Sequence, residues 1–301
     1  MHDTCLLKSL VVLLYCCLFG CSDDDAVTLQ SPQTSSTTVS EDISTDTIWR
    51  TEGSPYIVAQ TIRIVSGARL TIVPEVEVLF DEEQSLTVEG TLLADGLTAG
   101  NGNKPIYFST NAGAQQWQGI KFENTNDAQS LIQYVVIENA RIGLDIFSSA
   151  PSITHTCLRQ NDVAIKAVGA NAQITHSVIM DNDLALLVAF GFSRLAVTDN
   201  LIARNERGIL TNPFVALRRN NLVDNAVYAL ARNGENPRSK FFVINNWWGT
   251  TDGDVIERAI HDQADDPNIG PVVYQAENGS VVQKPFADAG SEHLKVCGTT
   301  E

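Results

Sequence analysis

Short apolar–polar alternations run along most of the chain. "QTIRIV", "ARLTIV", "VEVLF", "SLTVEG", "TLLA" and "PIYFS" are β-branched and near-alternating, and Gly, Pro, Asp or Asn punctuates them. Between Ile48 and Val243 no stretch carries a helical period. This span reads as all-β, in strands too short and too evenly spaced for a sandwich to be the first choice. One later stretch breaks the pattern. "TDGDVIERAIHDQ" predicts a short amphipathic helix capped by Thr251 or Asp252, with Val255, Ile256, Ala259 and Ile260 on one face.

The polar positions carry a longer period. Asn139, Asn161, Asn182, Asn205 and Asn225 follow one another at intervals of 22, 21, 23 and 20 residues. Eight residues before each stands an aliphatic: Leu131, Ile153, Ile174, Val197 and Leu217. A few residues after each comes a small residue and then an aliphatic, as in Gly143–Leu144, Ala164–Ile165 and Gly208–Ile209. Self-similarity at this length means a solenoid whose repeat is strand, bend, strand, Asn turn, strand. Asn tolerates the left-handed conformation, and its amide can bond the amide of the next coil about 4.8 Å away. The five asparagines are therefore expected to form an internal structural ladder at one corner of a right-handed parallel β-helix with a short C-terminal capping helix. A leucine-rich repeat shares the period and an Asn, but "SITHTCLRQN" lacks its leading LxxL, and Val and Ile dominate. Residues 48–275, at about 22 residues per coil, would make roughly ten coils and a rod of about 45–50 Å.

The ends differ in character. "LVVLLYCCLFG" (residues 10–20) is an apolar run behind Lys8, too short to span a bilayer comfortably, and "LFGC" follows. This resembles a bacterial lipobox. The resemblance implies a signal peptide over 1–20, lipidation of Cys21 and, with Ser22 next, an outer-membrane lipoprotein held in the cell envelope. Residues 21–47 are rich in Ser, Thr and Asp and read as a flexible tether. Residues 276–301 read as a polar, disordered tail. "KPFADAGSEHLKVCGTTE" resembles the opening strand of a polycystic-kidney-disease-type β-sandwich, so the tail reads as vestigial or truncated. Cys157 and Cys297 are read as one buried and one tail thiol, with an isolated disulfide between them left open.

A second resemblance covers most of 48–275. "GSPYIVAQTIRIVSGARLTIVPEVEVLF", "LTVEGTLLADG", "KPIYFST", "WQGIKFE" and "NNWWGTTDGDVIERAIHDQADDPNIGPVVY" are similar to segments of bacterial surface β-helix proteins of the pectate-lyase-like superfold. Glu75 follows Pro74 where that group usually has Gly, which touches a turn and not a function. The likeness implies a β-helix whose last coil is covered by the helix and by Trp247 and Trp248. Lyases of the superfold pair calcium-binding carboxylates with a basic residue, and its hydrolases cluster aspartates. Neither motif is present here.

A net charge of −16 disfavours nucleic acid as a partner and suits cations. Four groups are candidates for chemistry. His155, His176 and Asp199 lie six residues before their asparagines, as do Gln133 and Arg219, so stacking would set them in one corner column. Two imidazoles and a carboxylate are donors for a transition metal, against the plainer reading of solvated corner residues. Asp81, Glu82 and Glu83, with Asp265 and Asp266, are the carboxylates a calcium ion would need, without an EF-hand or nonapeptide repeat. Arg218 and Arg219 near Asp199 are a basic–acidic grouping of the kind glycan cleavage uses, against the plainer reading of adjacent basic residues at a strand end. Phe190, Phe214 and Tyr228 form a candidate aromatic stripe for glycan contacts. The expected role is a non-catalytic, surface-tethered rod. It would be bound to the membrane through lipid and would contact polysaccharide or an envelope protein without a cofactor. The alternative is a carbohydrate-active enzyme with its site on the outer face.

Overall fold

The computed structural model describes residues 36–98, 102–125, 129–189, 193–233, 236–286 and 296–297. The signal peptide, Cys21 and most of the tether lie outside them. Three parallel sheets of nine, nine and eight strands wind into a β-helix, and the smallest sheet sets about eight complete turns, not ten. At about 4.8 Å per step, eight turns make a rod of about 40 Å. The first sheet opens with Thr37–Val39, ahead of Ile48, because this segment pairs in register with Tyr56–Val58. The coils therefore begin inside the expected tether.

Each coil visits the first, second and third sheets in order. Val135–Glu138, Ile142–Phe147 and Ser152–Thr154 make one coil, and Cys157–Arg159, Val163–Val168 and Gln173–Thr175 make the next. Period-2 alternation turns one residue of each pair inward, and exact register stacks like on like. Ile132, Ile153, Ile174, Val197 and Leu217 form one such inward column in the third sheet, all essentially inaccessible. Leu144, Ile165, Leu186, Ile209 and Leu230 form another in the second. Full burial of each such side chain stabilises by about 1.5–3 kcal/mol before ordering costs.

The closing segment is shorter in helix than the pattern predicts. The α-helix spans Gly253–Arg258, and Asp252 caps it by accepting from the backbone N–H of Asp254. Of the expected apolar face only Ile256 is buried within the helix, while Val255 is exposed. Ile260 leaves the helix and pairs as a strand with Leu230, extending the second sheet. Strand pairing with an open sheet edge outcompetes a further helical turn here, because it satisfies backbone groups that would otherwise be bare. Trp248 is buried edge-on against Tyr274, 6.2 Å between centroids. Trp247 bridges to Asn221 through its backbone.

The tail is not free along its described part. Cys297 forms a disulfide with Cys157, so the reading of two separate thiols is overturned. Phe286 exchanges both backbone hydrogen bonds with the side chain of Asn221, at 2.9 and 3.0 Å. Local pattern encodes neither contact, since the partners lie 140 and 65 residues apart.

Candidate functional site

The asparagine ladder is a double structure. Asn161 donates its backbone N–H and its side-chain amide to Oδ1 of Asn182, both at 3.0 Å. Asn182 does the same to Asn205, and Asn205 to Asn225. Each amide also caps carbonyls of its own coil and of the preceding one, as Asn182 does for Met180 and Leu158. Asn139 does not belong to the ladder. Its place is taken by Ala140, whose N–H donates to Asn161 Oδ1. Asn139 instead occupies the left-handed position before it, at φ 59°, equivalent to Gln160, Asp181, Arg204 and Asp224. The first repeat is thus shifted by one residue. The same shift makes Ile132 the inward residue in place of Leu131, and Tyr134 the corner residue in place of Gln133.

A second ladder stands at the corner between the third and first sheets. Thr156 donates its N–H to Ser177 Oγ, Ser177 to Asn200 Oδ1, Asn200 to Asn220 and Asn220 to Asn246. The corner column expected from the sequence, His155, His176, Asp199 and Arg219, stands one residue before it. The signal was the run of small hydrogen-bonding residues five positions before each ladder asparagine, at Thr156, Ser177, Asn200 and Asn220.

The corner column lies just outside this second ladder. Tyr134, His155, His176, Asp199 and Arg219 all take positive φ, between 49° and 57°. The rings of Tyr134 and His155 stack at 4.8 Å and those of His155 and His176 at 5.3 Å, the last pair within 8° of parallel. Stacking of this kind directs the in-plane lone pairs side by side and not toward a common point. His155 Nδ1 also lies 2.9 Å from Thr154 Oγ1. Asp199 accepts from Arg219 Nε at 2.6 Å, and the Arg219 guanidinium lies 4.9 Å over the Phe286 ring. The column exists as the stacking argument requires, and it joins rings to rings and an acid to a base. No group of three His, Cys, Asp or Glu side chains able to hold a metal ion occurs among the described residues.

The acidic turns are occupied by local bonds. Asp81 accepts from Asn111 at 2.8 Å, Glu83 from Gln118, and Asp266 from Asn268. Asp265 accepts the N–H of Asp262 at 3.1 Å. Phe190 lies outside the described residues. Phe214 is exposed in the turn after the strand Arg207–Thr211, whereas Tyr228 is half-buried at the start of the next strand of the same sheet. Phe214 lies past the end of its strand and Tyr228 is the first residue of the neighbouring one, paired with Arg207, so they do not share a stripe. Burial raises the Tyr228 hydroxyl above its usual value of 10.0.

A cleft of about 310 Å³ opens at the corner between the second and third sheets in the N-terminal coils. Asp46, Arg69, Glu89, Thr91, Asn124 and Gln129 line it, and Asp46 accepts the backbone N–H of Arg69 at 3.0 Å. Gly90 lies in its floor, where a Cβ would meet the Ala68 carbonyl at 2.3 Å. Carboxylates, amides and a guanidinium at this density suit a ligand rich in hydroxyls.

Comparison with family models, with curated proteins and with solved structures found no match. Among the described residues no helix is long and apolar enough to cross a membrane.

Proposed function

We propose that this chain is a non-catalytic β-helix rod of the bacterial cell envelope that contacts glycan through the polar cleft lined by Arg69 and Glu89. The observation that carries the reading is the employment of the outward charges. Asp42 pairs with Arg63, Glu75 with Lys104, Glu138 with Arg159, Asp145 with Lys166, Asp181 with Arg204 and Asp199 with Arg219. These carboxylates link one coil to another, and a carboxylate held by a guanidinium is a poor general base. The cleft gathers two carboxylates, a guanidinium and amides in one place, with Glu89 only loosely paired to Arg63 at 3.9 Å. The LFGC motif and Ser22 support a lipid tether at Cys21 and outer-membrane placement, and the β-helix fold with the segments quoted between residues 53 and 274 supports kinship with pectate-lyase-like surface proteins.

The test incubates purified residues 22–301 with acidic and neutral polysaccharides, with and without calcium, and reads both retention and new chain ends. The reading predicts retention without new ends, lost in Arg69→Ala and in Glu89→Ala. New chain ends from any polysaccharide would contradict it and turn attention to Arg218, Arg219 and Asp199.

A further inference from the structure

The C-terminal cap encloses a hollow of its own. The helix Gly253–Arg258 runs into Ile260, which pairs with Leu230, and the chain later returns through Val272–Val273 to Tyr274. Among these pieces lies a cavity of about 220 Å³, lined by Glu257, Ile260, Asp262, Ala264, Val272 and Tyr274. It stands at the opposite end of the coil stack from the cleft of Arg69 and Glu89 and shares no residue with it. Ile260, Val272 and Tyr274 are buried members of the main core and give the cavity its apolar wall. Glu257 and Asp262 give it charge. Asp262 is fixed in place, its Oδ1 accepting the N–H of Ala264 at 3.0 Å and its Oδ2 that of Val272 at 2.6 Å. Glu257 Oε1 lies 3.3 Å from the Tyr274 hydroxyl that donates to it. Gln275 donates to that hydroxyl in turn, and Trp248 packs edge-on against the Tyr274 ring. Burial, and then the Glu257 charge, holds the Tyr274 hydroxyl above its usual value of 10.0, so it stays a donor to Glu257. The acceptors are therefore set before a ligand arrives, which lowers the ordering cost of binding.

We propose that this cavity binds a primary alkylammonium group, with its charge facing Glu257 and Asp262 and its aliphatic stem against Ile260, Val272 and the Tyr274 ring. Among the described residues neither carboxylate forms an ion pair, unlike the carboxylates that link the coils. A guanidinium that feels the Asp262 charge, that of buried Arg232, is spent on the carbonyls of Ser239, Pro271 and Asn236. Two carboxylates do not make a metal centre, and no group of three metal-ligating side chains occurs among the described residues. Carboxylate acceptors beside an aromatic ring and aliphatic walls suit an N–H donor carried on a short hydrocarbon. The volume falls below the roughly 300–1,000 Å³ of pockets that take drug-sized ligands, which fits a ligand of few heavy atoms. This inference does not depend on the glycan reading.

The experiment titrates the full-length protein with 1-aminopentane, with 1-pentanol, with Nα-acetyl-lysine amide and with calcium, and follows the backbone amide signals of Ala264 and Val272 by NMR. Two variants are read beside wild type, with far-UV circular dichroism to show that each is folded. Glu257→Gln removes charge from an exposed helix position, and Ala264→Leu fills the cavity from an exposed loop position. The expected result is a saturable shift of both signals with 1-aminopentane and none with 1-pentanol at the same concentration. Affinity should fall about fivefold in Glu257→Gln and binding should vanish in Ala264→Leu. Tighter binding of the lysine derivative than of the free amine assigns the ammonium to a partner's lysine side chain, and weaker or equal binding assigns it to a free amine. Equal binding of the amine and the alcohol would overturn the proposal, because the carboxylates would then contribute nothing. Binding that survives both substitutions would place the amine elsewhere, and a response to calcium without one to the amine would make the site a metal site; either would overturn it too.

Discussion

Residues 37–123 and residues 135–246 build the same coil with different interiors. In the first region the aliphatic core is filled out by aromatic rings. Phe80 stacks on Trp117 at 4.1 Å and lies 6.5 Å from Phe108, while Trp49 stacks on Tyr56 at 4.6 Å. Its turns are closed by assorted side chains from neighbouring coils, such as Asp42 on Arg63 N–H and Gln84 on Thr61 N–H. In the second region the core is aliphatic up to Phe241 at its end, and two polar ladders run through its corners. The junction is legible in atoms. Trp117 sits beneath Ala140, donating its Nε1–H to the Glu138 carbonyl at 2.8 Å, and the ladder begins one coil later at Asn161. In the first region the Trp117 ring fills the corner, and in the second a stacked amide does. One architecture therefore tolerates two solutions to the same problem, which is satisfying the backbone at a corner that repeats every coil.

The largest expected effect lies at that junction. Gly119 has φ +102°, and a Cβ there would meet the Ile142 carbonyl at 1.6 Å. Gly119→Ala should cost more than about 3 kcal/mol in urea denaturation or abolish folding, since both backbone and neighbour resist it. Phe80→Ala should cost about 3–5 kcal/mol. Its loss of amide protection should concentrate in residues 56–123, because a solenoid's coils depend mainly on their neighbours. Asn182→Ala removes an acceptor used twice by Asn161 and a donor used by Leu158, Met180 and Asn205, and should cost about 3 kcal/mol, concentrated in the ladder region. Asn139→Gly should cost less, about 0.5–1.5 kcal/mol, since glycine adopts the left-handed turn freely but loses the amide's bond to Ser109 Oγ at 3.2 Å.

The smallest effect concerns pH at the N-terminal turn. The Arg63 guanidinium, and next its backbone N–H, hold the Asp42 carboxyl below its usual 3.8. A lowered folded value means that its stabilisation is complete above 3.8 and is lost as pH falls through the still lower folded value. Asp42→Asn should therefore melt below wild type at neutral pH, with the gap closing only at the acid end. A gap that is constant down to strong acid would show that the ion pair contributes nothing.

The same contrast explains what could be read from the residues in advance. The ladder region announces itself, because one residue type recurs at one period and the inward aliphatics keep step with it. The architecture follows from that period. The N-terminal coils carry no recurring polar residue, so only their strand pattern was legible, and their first strand was absorbed into the Ser/Thr-rich stretch before Ile48. Asn139 misled because it is an asparagine one residue out of frame, and nothing local separates a left-handed turn asparagine from a ladder asparagine. The second ladder hid behind mixed chemistry, Thr156 and Ser177 standing where Asn200 and Asn220 do later. The disulfide and the cleft join segments far apart in the chain, which no local pattern encodes.

The most direct test of the two-interior account is residue-resolved hydrogen exchange on wild type and Asn182→Ala. The amides of Ala140, Asn161, Asn182 and Asn205 donate to asparagine side chains. The account predicts slow exchange at all four in wild type. In the variant, protection should collapse at Asn161 and weaken along the ladder, while residues 56–108 keep their protection. Uniform loss along the whole rod, or unchanged protection at Asn161, would contradict it.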